Sequence, residues 1–183
     1  MIDPEINKKA DLTYPVHPLL ASRWSPRAYD PKPVETEKLQ RIFEAARWSA
    51  SASNMQPWYF LLGLKGDDVY TKIFDTLVEF NQLWVINAPV LTLGIVKTTN
   101  PKGAPNGYAA YDLGQAMAML SIQAQHEGIY THQMAGFDAD AAALALEGNK
   151  FSTLEERRDL FDTALRLSME ESYQVWCVDE VAF

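Results

Sequence analysis

The chain has 183 residues, of which 48% are hydrophobic and 22% charged, with a net charge of −8 and a pI near 4.8. This composition is typical of a globular protein with one domain, and the negative charge argues against nucleic acid or an anionic membrane as the main partner. The single cysteine, Cys177, excludes an internal disulfide and argues against a structural zinc site.

The first residues, M-I-D-P-E-I-N-K-K-A-D, contain no apolar segment of the kind found in signal peptides. The longest apolar run, around residues 88–96, is far shorter than the roughly 18 residues that a membrane-spanning helix needs. We therefore expect a cytoplasmic protein made of one domain over residues 1–183, in which the polar, proline-interrupted residues 1–16 form an N-terminal arm.

A short arginine-rich motif, S-R-W-S-P-R-A-Y-D, follows the arm. Its residues Arg23, Ser25 and Arg27 are spaced by two, which in an extended segment places the three side chains on one side. Two guanidinium groups around a hydroxyl form a donor-rich face that fits a phosphate or a carboxylate. The alternative is a pair of solvated arginines that pair with nearby acids such as Asp30.

The stretch A-R-W-S-A-S-A-S-N-M-Q-P-W-Y-F, residues 46–60, connects a predicted helix over residues 37–49 to a predicted buried strand over residues 58–63. Its alternating serines and alanines leave the backbone open between two apolar elements. A ligand with a flat ring could approach such a backbone closely and bond its polar groups. A plain helix-to-strand connection is equally compatible with these residues.

One continuous helix is predicted over about residues 68–86 because apolar residues recur there at helical spacing. The residues of this apolar stripe are Tyr70, Ile73, Phe74, Leu77, Phe80 and Trp84. Asn81 lies on the same apolar stripe, one turn before Trp84. An inward-facing amide costs stability unless it is hydrogen-bonded. Asn81 is therefore expected either to have a structural partner or to contact the polar edge of a ligand.

The second half of the chain is predicted to contain a strand over residues 88–97, a long helix over residues 108–127 and a short segment, I-Y-T-H-Q-M-A-G-F-D, that ends in a glycine turn. The apolar stripe of the long helix consists of Leu113, Ala116, Met117, Leu120 and Ala124. An amphipathic helix over about residues 154–172 and a closing strand near residues 174–178 follow. Small residues on the long helix would let another helix, for example from a second subunit, approach closely: Gly114, Ala116, Ala118 and Ala124.

Recognisable catalytic motifs are absent from the sequence: G-x-G-x-x-G, the phosphate-binding loop, G-x-S-x-G and H-E-x-x-H do not occur. We interpret His132 as a hydrogen-bonded structural residue and not as a base or a metal ligand. The sequence therefore predicts no metal and no catalytic side chain, so that any chemistry would come from a bound cofactor.

Four motifs in order, R-W-S-P-R-A-Y, S-A-S-A-S-N-M-Q-P-W, F-N-Q-L-W-V-I-N-A-P-V and H-Q-M-A-G-F-D, resemble those of the nitroreductase family of FMN-dependent oxidoreductases. The resemblance implies an α+β fold with a central, mostly antiparallel sheet flanked by helices, in an intertwined homodimer. It also implies FMN in two interface sites and ping-pong hydride transfer from NAD(P)H to an electron-poor acceptor such as a nitroaromatic compound or a quinone.

The resemblance also implies a role for individual residues. Arg23 corresponds to a phosphate ligand, Arg27 to the cation beside the flavin pyrimidine edge, and Asn81 to an amide that bonds the same edge. A loop is expected to reach the flavin from the other subunit, and a turn is expected to contact the ring near N5. The full cofactor-binding set is Arg23, Trp24, Ser25, Arg27, Ala50, Ser51, Ala52, Asn54, Asn81, Met134, Ala135 and Gly136.

The chain departs from the family pattern at several positions. Trp84 stands where some members have a lysine, and Ala50 replaces a frequent proline. Similarity stops after Asp138, so residues 139–183 do not match the C-terminal segment that supplies another phosphate-binding cation in the family. The closing strand could replace a missing sheet strand, and the candidate replacement cations are Arg157, Arg158 and Arg166. The alternatives are a flavin-binding protein without turnover and a flavin enzyme acting on an enone or an aldehyde.

Overall fold

A computed structural model describes residues 10–147 and 173–182, and the central feature of this part is a four-stranded sheet. The strands are β1 (Trp58–Leu64), β2 (Val90–Lys97), β3 (Ile129–Met134) and β4 (Tyr173–Ala182). Their order across the sheet is β1-β2-β4-β3, and each neighbouring pair is antiparallel. The predicted α+β class with an antiparallel sheet is confirmed, and the closing strand lies inside the sheet, between β2 and β3.

Six helices accompany these strands in the described residues. Their bounds are α1 Pro18–Ser22, α2 Thr36–Arg47, α3 Asp68–Thr76, α4 Glu79–Val85, α5 Ala109–His126 and α6 Ala139–Glu147, and a short 3₁₀ turn covers Ala52–Asn54. The predicted helix over residues 154–172 and the three candidate cations Arg157, Arg158 and Arg166 lie outside the described residues.

The sheet is covered on both faces, which explains why β1 and β2 consist mostly of apolar residues. On one face, Leu61 and Leu93 pack with residues of α3 and α4. On the other face, Phe60 and Val96 pack with α2 and α5. The predicted apolar stripe of α5 is buried as expected, at Leu113, Ala116, Met117, Leu120 and Ala124.

The prediction of one helix over residues 68–86 is wrong. The chain is extended at Leu77 (φ −71°, ψ 144°) and forms an isolated bridge with Phe137, so that α3 ends at Thr76 and α4 begins at Glu79. The backbone N–H of Val78 donates to the carbonyl of Gly136 at 3.0 Å. The break shifts the helical phase, and Phe80, which the stripe placed in the core, is 60% exposed.

Gly63 allows α3 to pack directly against β1. A Cβ atom at this position would lie 2.5 Å from both the Cα and the N of Tyr70. We expect Gly63→Ala to lower the free energy of unfolding by about 3 kcal/mol, because backbone atoms must move to accommodate the methyl group. Urea denaturation measures this, with Gly107→Ala as the control, since nothing lies within 4 Å of a Cβ there. Equal stability of the two variants would contradict the prediction.

Within residues 10–147 and 173–182, no helix combines the length and the apolar character needed to cross a bilayer.

Candidate functional site

The arginine-rich motif is an extended, largely exposed segment after α1. The Nη1 of Arg23 donates to the Oγ of Ser25 at 3.4 Å, as the two-residue spacing predicts. Among the described residues, neither Arg23 nor Arg27 forms an ion pair with a carboxylate. Asp30, the acid expected in the alternative interpretation, instead accepts a hydrogen bond from the backbone N–H of Lys32.

The segment is fixed to β3 through its middle residue. The carbonyl of Pro26 accepts hydrogen bonds from His132 Nδ1 at 2.8 Å and from the hydroxyl of Tyr29 at 2.9 Å. Trp24 adds an edge-to-face contact with Tyr130, with ring centroids 6.4 Å apart. Burial lowers the pKa of His132, although the bond to Pro26 acts in the opposite direction. His132 therefore has the structural role that the sequence suggested.

Helix α4 faces the same segment. The guanidinium carbon of Arg27 lies 5.7 Å from the ring centroid of Phe80 and 5.9 Å from that of Trp84. The Nε1 of Trp84 is buried and has no hydrogen-bond partner among residues 10–147 and 173–182. The arginine segment, β3 and α4 thus contact one another, and the guanidinium group of Arg27 lies beside the indole of Trp84.

Asn81 connects α4 to the turn after β3. Its side chain is 8% exposed, and its Nδ2 donates to the carbonyl of Gly136 at 3.0 Å. This bond gives the amide a structural partner, the first of the two roles considered for it. A Cβ on Gly136 would lie 2.7 Å from Asn81 Nδ2, so a side chain at this position would displace the amide. Of the neighbouring turn residues, Met134 is buried and Ala135 is exposed.

The loop before β1 has an unusual backbone. Three non-glycine residues have positive φ angles: Ser53 (52°), Asn54 (53°) and Gln56 (47°). Such conformations cost energy and persist only where the surroundings enforce them. The Oγ of Ser51 accepts from the N–H of Gln56, and Asn54 Oδ1 accepts from Gln56 Nε2. The loop therefore has a defined conformation.

Asp112 on α5 binds the backbone of this loop. This residue was not identified from the sequence. Its carboxylate accepts from the N–H of Ala52 at 3.1 and 3.3 Å, and the residue is 2% exposed. The sequence did contain a signal, because Asp112 falls on the apolar stripe of α5 with Ala109, Leu113 and Ala116. A carboxylate on such a stripe needs a buried partner, as Asn81 does.

Asp112→Ala is expected to lower the free energy of unfolding by about 1–2 kcal/mol, because the N–H of Ala52 loses its acceptor. It should also speed hydrogen exchange at the Ala52 amide and increase protease cleavage between residues 50 and 56. Asp112→Asn keeps one acceptor oxygen and should have a smaller effect. If the alanine variant leaves exchange at Ala52 unchanged, Asp112 does not hold the loop.

The loop and the arginine segment lie at opposite edges of the sheet. The loop, residues 50–56, leads into β1 at one edge, whereas the arginine segment, Asn81 and residues 134–136 surround β3 at the other. Two strands separate β1 from β3, a distance of roughly 14 Å between these strands. One chain therefore brings together three of the four predicted pieces and keeps the loop apart from them.

The described part of the chain contains no group of three or more side chains that could hold a metal ion.

On α5, the expected small-residue surface is only partly available, because Ala116 and Ala124 are buried in the core of the same chain. Gly114 and Ala118 are exposed, and nothing lies within 4 Å of a Cβ on Gly114.

Comparisons with known proteins agree on one family. Residues 20–80 match the model of the nitroreductase family. A solved structure of an oxidoreductase containing FMN is 30% identical, with a TM-score of 0.78 over 97% of this chain and 81% of that one. A nitroreductase family protein from Clostridium novyi NT shares the fold at 17% identity, with a TM-score of 0.67 over 90% of this chain and 82% of its own.

A curated relative is similar over a shorter stretch. The Major NAD(P)H-flavin oxidoreductase of Aliivibrio fischeri is 35% identical over 72 residues, which is 39% of this chain. The matched region spans only 33% of that protein.

Proposed function

Because this chain belongs to the nitroreductase family, we propose that it is an FMN-dependent oxidoreductase. It would transfer hydride from NAD(P)H to an electron-poor acceptor, such as a nitroaromatic compound or a quinone, in ping-pong order. Its similarity to an oxidoreductase containing FMN and to an NAD(P)H-flavin oxidoreductase supports this activity. When bound, FMN supplies the hydride chemistry, accepting hydride from the nicotinamide and passing electrons to the acceptor.

The observation that carries the proposal is the donor face of Arg23, Ser25 and Arg27. Arg23 and Ser25 lie within hydrogen-bond distance of each other, and both are exposed. No carboxylate in the described residues neutralises either guanidinium group. A phosphate ester with a flat, polar-edged ring fits this donor set, because guanidinium groups bind phosphate oxygens and the nearby indole and backbone groups can border a ring.

Each residue near β3 has a role in this proposal. Arg23 and Ser25 bind the phosphate, and Trp24 anchors the segment through its contact with Tyr130. Arg27 stabilises negative charge that develops at the pyrimidine edge on reduction. Asn81 bonds the same edge while its Nδ2 holds the Gly136 carbonyl. Residues 134–136 border the ring near N5, where the methyl group of Ala135 and the absence of a side chain at Gly136 allow close approach.

In the proposed site, the loop residues come from a second subunit. Ala50, Ser51, Ala52 and Asn54 lie at the sheet edge opposite Arg27 and Asn81 in the same chain. In a two-fold dimer, the loop of one subunit can complete the site of the other. The exposed face of α5 supports such a dimer, since Tyr111 (67% exposed) and Met119 (48% exposed) flank Gly114 and Ala118. We therefore propose a homodimer with two equivalent shared sites.

The visible spectrum of the purified protein tests the cofactor assignment. We expect a yellow protein, or one that takes up added FMN with the absorbance of a bound flavin. NAD(P)H oxidation with menadione or a nitroaromatic compound then tests turnover. A colourless preparation that takes up no FMN would contradict the cofactor, whereas bound FMN without turnover with any acceptor would indicate a flavin-binding protein.

A further inference from the structure

The side chain of Arg27 lies across two aromatic rings of α4. Its guanidinium carbon is 5.7 Å from the centroid of Phe80 and 5.9 Å from that of Trp84. Phe80 and Trp84 are four residues apart, so they stand one above the other on the same helix face. Both distances are within the range in which a ring attracts a cation.

The Trp84 ring is itself fixed by residues that hold the Arg27 backbone. It lies 4.5 Å from the ring of His132 and 5.8 Å from that of Tyr29, measured between centroids. His132 and Tyr29 both donate to the carbonyl of Pro26, the residue directly before Arg27. Trp84 therefore contacts both the guanidinium group and the residues that anchor its backbone.

Aromatic rings hold a cation differently from a carboxylate. An ion pair would cancel the positive charge of Arg27, and none forms in the part of the chain that the structure describes. A ring face restrains the guanidinium group, leaves its charge intact and leaves the N–H groups at its edge able to donate. This arrangement suits a cation whose task is to stabilise charge on a neighbouring group.

We propose that Phe80 and Trp84 position the guanidinium group of Arg27 and thereby raise the preference of the protein for reduced over oxidised FMN. The inference rests on the proposed function, in which Arg27 lies at the pyrimidine edge. Phe80 and Trp84 are positioning residues that act through Arg27. Trp84 then supports the action of a cation supplied by another segment.

A double-mutant cycle tests whether Trp84 acts through Arg27. Trp84→Leu should lower the ratio of affinities for reduced and oxidised FMN about fivefold, the size of one cation–π contact. For a two-electron couple this corresponds to a reduction potential lower by about 20 mV. Trp84→Phe keeps a ring face, so it should lower the reduction potential much less than Trp84→Leu does. In an Arg27→Gln background, Trp84→Leu should cause no further shift.

Phe80→Leu provides a second variant with little risk to folding, because Phe80 is 60% exposed. Phe80→Leu should also lower the reduction potential, and circular dichroism should show an unchanged fold. The proposal would be overturned if Trp84→Leu shifted the reduction potential equally with and without Arg27. It would also be overturned if Trp84→Phe and Trp84→Leu shifted the potential equally. Failure of wild-type protein to bind FMN would instead refute the proposed function, and this inference with it.

Discussion

Replacing Arg23 by alanine is expected to weaken FMN binding about 30-fold while leaving riboflavin binding nearly unchanged. The exposed guanidinium group beside Ser25 is assigned to the phosphate, and charge-assisted bonds between arginine and phosphate are among the stronger hydrogen bonds in proteins. Riboflavin has the same ring system without the phosphate, so it does not use this contact. Fluorescence titrations of both flavins with wild-type and Arg23→Ala protein measure the difference.

Arg41→Gln is the matched control for this experiment. Its guanidinium group makes two hydrogen bonds with Glu127, each 2.8 Å long, and it belongs to α2 and not to the arginine segment. It should bind FMN as the wild type does. If Arg23→Ala weakens FMN and riboflavin equally, its effect is a general disturbance of the site and the phosphate assignment is wrong.

Gly136→Ala is expected to remove most FMN binding and to lower the free energy of unfolding by about 2 kcal/mol. The added Cβ would lie 2.7 Å from Asn81 Nδ2 and 2.9 Å from Val78 Cγ2. Val78 directly precedes α4 and Asn81 lies in its first turn, so the methyl group displaces these side chains from their positions beside residues 134–136. Urea denaturation and FMN titration measure the two effects.

Gly107→Ala is again the control, because a Cβ there has open space around it. It should leave both FMN affinity and stability close to those of the wild type. A Gly136→Ala protein that binds FMN normally and unfolds at the wild-type urea concentration would show that the contact between Gly136 and Asn81 does not shape the site.

The sequence predicted those elements whose pattern is local. The helical period of α5 and the apolar runs of β1 and β2 are sufficient to predict these elements, because each pattern is determined by burial along a single element. The break at Leu77 was not predictable in this way, since apolar residues continue at helical spacing across it. Its cause is the pairing of Leu77 with Phe137, a contact between residues 60 positions apart that no local pattern reports.

The site shows the same division between local and distant causes. The spacing of Arg23 and Ser25 predicted a shared face, and Asn81 was recognised as a polar residue on an apolar stripe. Asp112 offered the same signal and was missed. The place of Phe80 under Arg27 depends on the helix break, and the positive φ angles of Ser53 and Asn54 depend on contacts made elsewhere in the loop and with α5. Those features require the three-dimensional structure.

In the proposed dimer, each FMN site combines the arginine segment of one subunit with the loop of the other. Two variant chains test this arrangement. One carries both Arg23→Ala and Arg27→Ala, and the other carries Ala50→Trp, which replaces an exposed loop residue by one with a large ring. Neither variant should bind FMN by itself. When the two chains are co-expressed with different tags, about half of the dimers contain one of each.

The FMN content of those co-expressed dimers is the most direct test. In a mixed dimer both defects fall in one site and the other site is intact. FMN bound per chain should therefore recover to about one quarter of the wild-type value in the whole mixture and to about one half in purified mixed dimers. Mixed dimers that bind no more FMN than either parent would show that the segment and the loop do not meet across a subunit interface.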